Sequence, residues 1–274
     1  MQRFLSALAI ALATALPLRA ETPNWAEELY GALGFTDLMQ IVREEGVGYG
    51  ARIEADLFPG KGGDAWSASV ETAYDTEWMR GQVLKGMAEM LTADQAQAIL
   101  AFFRSETGLR VVEFEIAARR SLLDPEVEEA ASESWQALQE EDGPRWRLLT
   151  DFAQTNDLIE SNIAGAMNSN YAFYMGLIEG SAFEQPLPER EVLADVWSQE
   201  PQIRDDTFDF VYSFGVLAYE PLTDDEFAAY IAFSATPEGQ ALNATIFSVF
   251  DRMFSAISRD LGLAAARHLA GEDI

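Results

Sequence analysis

The side chains of this sequence that could do chemistry are almost all carboxylates: 46 Asp and Glu stand beside one histidine and no cysteine. Without cysteine there is no disulfide, no thiolate nucleophile and no Cys-ligated zinc or iron–sulfur cluster. The single imidazole, His268, lies next to Arg267 and cannot by itself complete a Ser-His-Asp arrangement or a multi-histidine metal site. Its position suits a cation near a helix C-terminus. No G-x-S-x-G elbow, H-E-x-x-H, EF-hand loop or nucleotide fingerprint occurs. The stretch FPGKGGDAW, from Phe58, has the glycines of a phosphate loop but neither the Walker spacing nor the Lys-Ser/Thr end, so a turn with Asp64 capping the next helix is expected. Two carboxylates on facing helices could serve as acid and base in glycoside cleavage. With this many acids, however, some pair always falls at a suitable distance. The clusters EVEEAASE (126–133) and QEED (139–142) fit solvated helix faces and a turn; they could hold divalent cations weakly, without the fixed oxygen-ligand loops of structural calcium sites. The sequence therefore assigns no catalytic residue, no metal ligand and no cofactor.

Two stretches stand out as candidate binding surfaces. In NSNYAFYMGL (168–177), Asn168 and Asn170 are followed by Tyr171 and Tyr174, and Tyr171, Tyr174 and Ile178 share a helical face. Aromatics beside amides suit a ligand groove or a partner interface; packing in the core is the other use open to them. EEGVGYGAR (44–52) places glycines at 46, 48 and 50 inside a helical pattern, each costing about 1 kcal/mol against alanine. A kink or a close helix crossing is expected to compensate.

The elements that must position such residues are helices. Helix formers are plentiful, alternating β-branched runs are missing, and Leu242, Ile246, Val249, Phe250, Met253, Ile257 and Leu261 recur at spacings of three and four. Breaks fall at FPGKGGD, LLDPE, EEDGPR, EQPLPER and TPEG, which divides the chain into eight to ten helices. The expected fold class is all-α, with helix-turn-helix motifs packed as a bundle.

A repeat organises this bundle. LTADQAQAILAFFRSETGLR, from Leu91, and LTDDEFAAYIAFSATPEGQA, from Leu222, keep one register without a gap, and the same register pairs Asp75-Thr76 with Asp206-Thr207. A fainter echo joins Thr36-Asp37-Leu38 to Thr150-Asp151-Phe152 at a smaller spacing. The expected organisation is a leader (1–20) followed by two related helical halves, 21–142 and 143–274, with an insertion near 160–205 in the second. Each repeated stretch opens on a capping box, Thr92 with Gln95 and Thr223 with Glu226, and acids follow in the first turn where the helix dipole favours them. A second start comes at once: Ser105 and Thr236 are cap-type residues, Pro237 suits the first helical position, and Gly108 and Gly239 would let two helices approach closely. Read this way, the repeated polar residues are structural; presentation of free amides to an anion is the functional alternative.

YEPLTDDEFAAYIAFSATPEGQAL (219–242) resembles the bacterial family called domain of unknown function 2059, in its acidic helix start, aromatic-bearing helix and (S/T)PxGQ turn. The first copy departs from that pattern, because SETGLR lacks the proline and glutamine found at Pro237 and Gln240. The resemblance implies a helical, exported protein and carries no catalytic residue with it. The first twenty residues agree with export: an early cation at Arg3, an apolar run from Phe4 to Leu18 and a small Ala20 form the pattern of a cleaved signal peptide, too short for a membrane span. The chain carries 18 basic residues against its acids, a net charge of −28, which repels phosphate backbones and anionic lipid surfaces, so nucleic-acid binding is not expected. An apolar content of 49% suffices for a packed core.

The expectation is a periplasmic or secreted, non-catalytic interaction or accessory module of the cell envelope, without a membrane span in the mature chain, whose partner is an envelope protein or a small ligand. The alternatives are a small-ligand or divalent-cation binder and, further off, a carboxylate-based hydrolase. If the repeated threonines are caps, replacing Thr223 and Glu226 by alanine lowers stability by about 1 to 2 kcal/mol in urea denaturation; an unchanged midpoint would contradict the structural role.

Overall fold

The computed structural model describes residues 22–183, 185 and 187–269, so the expected leader lies outside the described residues. Among these residues there are thirteen helices and no strand. In chain order they are α1 (Asn24–Ala32), α2 (Phe35–Leu57), α3 (Gly63–Ala73), α4 (Thr76–Met90), α5 (Ala93–Phe103), α6 (Glu106–Ser121) and α7 (Pro125–Glu141). They continue as α8 (Pro144–Thr155), α9 (Leu158–Glu179), α10 (Glu189–Ser198), α11 (Glu200–Tyr219), α12 (Asp224–Ser234) and α13 (Pro237–Leu269). The all-α expectation is met, with more helices than the breaks suggested. One contiguous apolar core runs from Ala26 to Ala266 and draws on both halves of the chain.

The punctuation is the one expected. The amide of Thr92 donates to Gln95 Oε1 (2.9 Å) while the Gln95 amide donates to Thr92 Oγ1 (3.3 Å). Thr223 and Glu226 repeat this reciprocal pair at 2.8 and 3.3 Å. Ser105 Oγ accepts from the Gly108 amide and Thr236 Oγ1 from the Gly239 amide, both at 3.1 Å, and Pro237 is the first residue of α13. A Cβ on Gly108 would lie 2.2 Å from the Phe102 carbonyl oxygen, and one on Gly239 2.2 Å from that of Phe233. Only glycine lets the second helix start this close to the end of the first. At FPGKGGD the expectation needs correction: Asp64 does not cap α3 but sits in its first turn, and the Gly62 amide donates to Glu54 Oε1 instead (3.0 Å).

The shift that carries Leu91 onto Leu222 carries α5 onto α12 end to end and the start of α6 onto the start of α13. The two copies also meet: Phe102 stacks on its counterpart Phe233 with ring centroids 4.1 Å apart and planes 6° from parallel. α5 packs on α13, and α12 packs on α6. Outside this unit the correspondence stops. Asp75 caps α4 by accepting from the Trp78 amide, whereas Asp206 lies inside α11; Thr36 lies at the start of α2, whereas Thr150 lies well inside α8.

Close backbone approach recurs at the glycines of three helices. In α2, a Cβ on Gly46 would meet the Tyr74 ring at 2.5 Å and one on Gly50 would meet Val70 at 2.6 Å, so α2 is indented to receive α3 and the turn after it. The closest long-range approach of backbone to backbone joins α9 to α13: a Cβ on Gly176 would fall 2.2 Å from the Arg259 carbonyl oxygen, and one on Gly262 2.2 Å from that of Phe173. The region expected as an insertion, 160–205, therefore holds α9, the main packing partner of the longest helix. His268 does fall in the last turn of α13, but as a buried ring stacked on Phe58 (5.0 Å) with Trp66 at its edge (6.0 Å). Because the atoms facing Gly262 are backbone and cannot swing aside, Gly262→Ala is expected to destabilise the fold by about 2 kcal/mol or more in thermal denaturation. A wild-type melting temperature would contradict the contact.

Candidate functional site

A partly open chamber of about 500 Å³ lies inside the bundle, walled by α2, α5, α6, α9, α11, α12 and α13. Its construction follows from the helix patterns. α13 buries Val249, Met253, Ile257 and Leu261 in the core and turns Ile246, Phe247, Phe250 and Phe254 toward the chamber. α9 contributes small residues, Ser161, Gly165, Ala166 and Ser169, which leave the space open. Phe210 and Phe214, one helical turn apart on α11, form part of another wall, with Phe35 and Leu38 of α2 and Phe103 of α5. Eight aromatic rings in all line the space.

Three charged residues reach this wall: Glu115 and Arg119, one turn apart on α6, and Asp251 of α13. Asp251 accepts from Asn168 Nδ2 (2.8 Å), which links α13 to α9. Arg119 donates from Nη2 to Glu45 (2.7 Å) and lies over the Phe210 ring at 4.7 Å. Its buried Nε has no hydrogen-bond partner among the described residues.

Glu115 is the distinctive group. Tyr219 donates to its Oε1 at 2.7 Å, and the hydroxyl of Tyr230 lies nearby. Among the described residues no Lys, Arg or His forms an ion pair with it. Burial pushes its carboxyl up to about 7, against the opposing pull of the two tyrosine hydroxyls. The same burial, with the carboxylate's own field, raises both tyrosines well above their ordinary range, so they remain protonated donors.

The surface expected at Asn168, Asn170, Tyr171 and Tyr174 is not the chamber wall. Asn170 Nδ2 donates to Gln199 (3.0 Å), Tyr171 to Glu189 (2.8 Å) and Tyr174 to Asp195, so these three fasten α10 to α9. Asn168 alone touches the site, through Asp251. The capping residues stay structural, although Glu226 also pairs with Arg110 of α6 and thereby ties the two capped units together. Sequence reasoning missed Glu115, Tyr219 and Tyr230. A signal was present: Glu115 lies four residues after Val111 and three before Ala118, both buried, which places an acid on the inward face of α6.

Among the described residues no cluster of three or more His, Cys, Asp or Glu is placed to share a metal ion, and no helix is long and apolar enough to cross a membrane. Comparison with protein-family models, with curated proteins and with solved structures gives no match to this chain.

The raised carboxyl makes a stability prediction with a definite sign. Between the ordinary value of 4.5 and about 7 the folded chain holds a proton that the unfolded chain has released, so Glu115 withdraws stability as pH rises through this window, and fully above it. Glu115→Gln cannot ionise and is expected to gain on the wild type by on the order of 3 kcal/mol between pH 4 and pH 8. Paired denaturation curves measure the difference, and a constant gap across the range would contradict the burial.

Proposed function

We propose that this chain is an exported protein of the bacterial envelope that binds a small, largely apolar molecule in the chamber beside α9 and α13, without acting on it chemically. The chamber itself carries the reading. Its size is within the range of ligand pockets, its walls are aromatic and aliphatic, and only a few polar groups converge on it. Export rests on the signal-peptide pattern of residues 1–20 and on the resemblance to the domain of unknown function 2059 family, which is helical and exported. Against the earlier expectation of an accessory module, the chamber favours the small-ligand alternative, because a cavity inside a bundle suits a molecule rather than a protein surface.

A second reading, a protein-interaction module, is favoured by α10. Leu193 and Trp197 stand one helical turn apart there and are 41% and 65% exposed. Tyr171, Tyr174 and Asn170 hold that helix firmly on α9, so the exposed pair has a fixed support.

An uncharged fluorescent probe such as N-phenylnaphthylamine tests the first reading. Saturable binding is expected, and Ala166→Trp, which fills the chamber from α9, should weaken it by at least about tenfold while the cooperative melt persists. Equal binding by the variant would place the probe outside the chamber.

A further inference from the structure

The wall that makes the chamber apolar also leaves one charge unanswered. From α11 and α12 the groups facing Glu115 are the hydroxyls of Tyr219, which donates to it, and Tyr230, both neutral. From α2, α5 and α9 the chamber wall carries only uncharged residues, and α13 adds a second acid, Asp251. On its own helix Arg119 is turned to Glu45 and stacked on Phe210. A carboxylate held in an apolar enclosure without a cation favours any ligand that brings one, because removing both charges from water is compensated only when they pair. The aromatic lining points the same way, since ring faces attract a cation that has already lost its water. The field of the whole chain, at −28, draws cations toward the chamber mouth and repels anions.

Building on the ligand-binding reading above, we infer that the chamber's ligand is a cationic amphiphile, an apolar body carrying a protonated amine that pairs with Glu115. The ammonium donates to Glu115 Oε2, the oxygen that Tyr219 does not engage, and the apolar body lies along Phe214, Phe250 and Ile246. Arg119 marks the competing chemistry: an anionic head group would have to be read there.

Three ligands of one chain length separate these possibilities: decylamine, decanol and decanoic acid, titrated calorimetrically into the whole protein. At about pH 8 decylamine is expected to bind at least about tenfold more tightly than decanol, with decanoic acid weakest. At about pH 5.5, where Glu115 is protonated because its carboxyl is pushed up to about 7 while the amine keeps its charge, the amine's advantage should shrink to about twofold. Glu115→Gln keeps an acceptor for Tyr219 and should remove the amine's advantage over decanol at both pH values. Should that variant fail to fold, the pH comparison in the wild type decides alone. Equal binding of amine and alcohol would overturn the inference and leave the apolar-ligand reading standing. Tighter binding of decanoic acid would overturn it in favour of Arg119. Failure of all three, decanol included, would remove the ligand-binding reading as well.

Discussion

Where Gly176 and Gly262 face each other, the backbones of α9 and α13 come so close that a single methyl group on either helix would strike a carbonyl oxygen of the other. This contact fixes the register of α9 against α13, the longest helix of the bundle. With that register set, Asn168 of α9 reaches Asp251 of α13 and Arg259 of α13 pairs with Glu179 of α9. The earlier turns of both helices then fall beside the chamber. α13 turns its phenylalanines, and α9 its serines, glycine and alanine, to the same space. Had larger residues occupied 161, 165, 166 and 169, the same packing would have filled the chamber.

The second organising contact joins the two copies of the capped turn. Stacking of Phe102 on Phe233 and the pairing of Arg110 with Glu226 bring α6 against α12. That juxtaposition delivers Tyr230 to Glu115, while α11 delivers Tyr219 from another side. The site is thus a by-product of how the repeated units meet. Its chemistry follows from enclosure: a carboxylate with one tyrosine donor, a second tyrosine beside it and no cation stays in the bundle only by giving up much of its charge near neutral pH.

How much of this could be read beforehand divides along the range of the forces involved. The caps at Thr92, Ser105, Thr223 and Thr236 were legible because an N-cap is satisfied within three residues of itself. The inward face of α13 was legible because its period spans the whole helix. The role of Tyr171 and Tyr174 was not, since their partners lie on α10, across a turn of unpredictable direction. Segment 160–205 was read as an insertion because the two echoes differ in spacing; it includes most of α9, which is central to the packing. Glu115 could have been suspected from its place between Val111 and Ala118. Its partners on α11 and α12 are more than a hundred residues away and have no local trace.

The central claim is that the bundle encloses an accessible apolar space rather than a filled core. Crystallography under xenon pressure tests it most directly, because xenon orders only in apolar cavities that it can enter. The structure described here predicts xenon between Phe214, Phe250 and Ala166, with the surrounding helices unmoved. Side chains collapsed into that space, with no xenon among them, would contradict the chamber and with it the functional reading built on it.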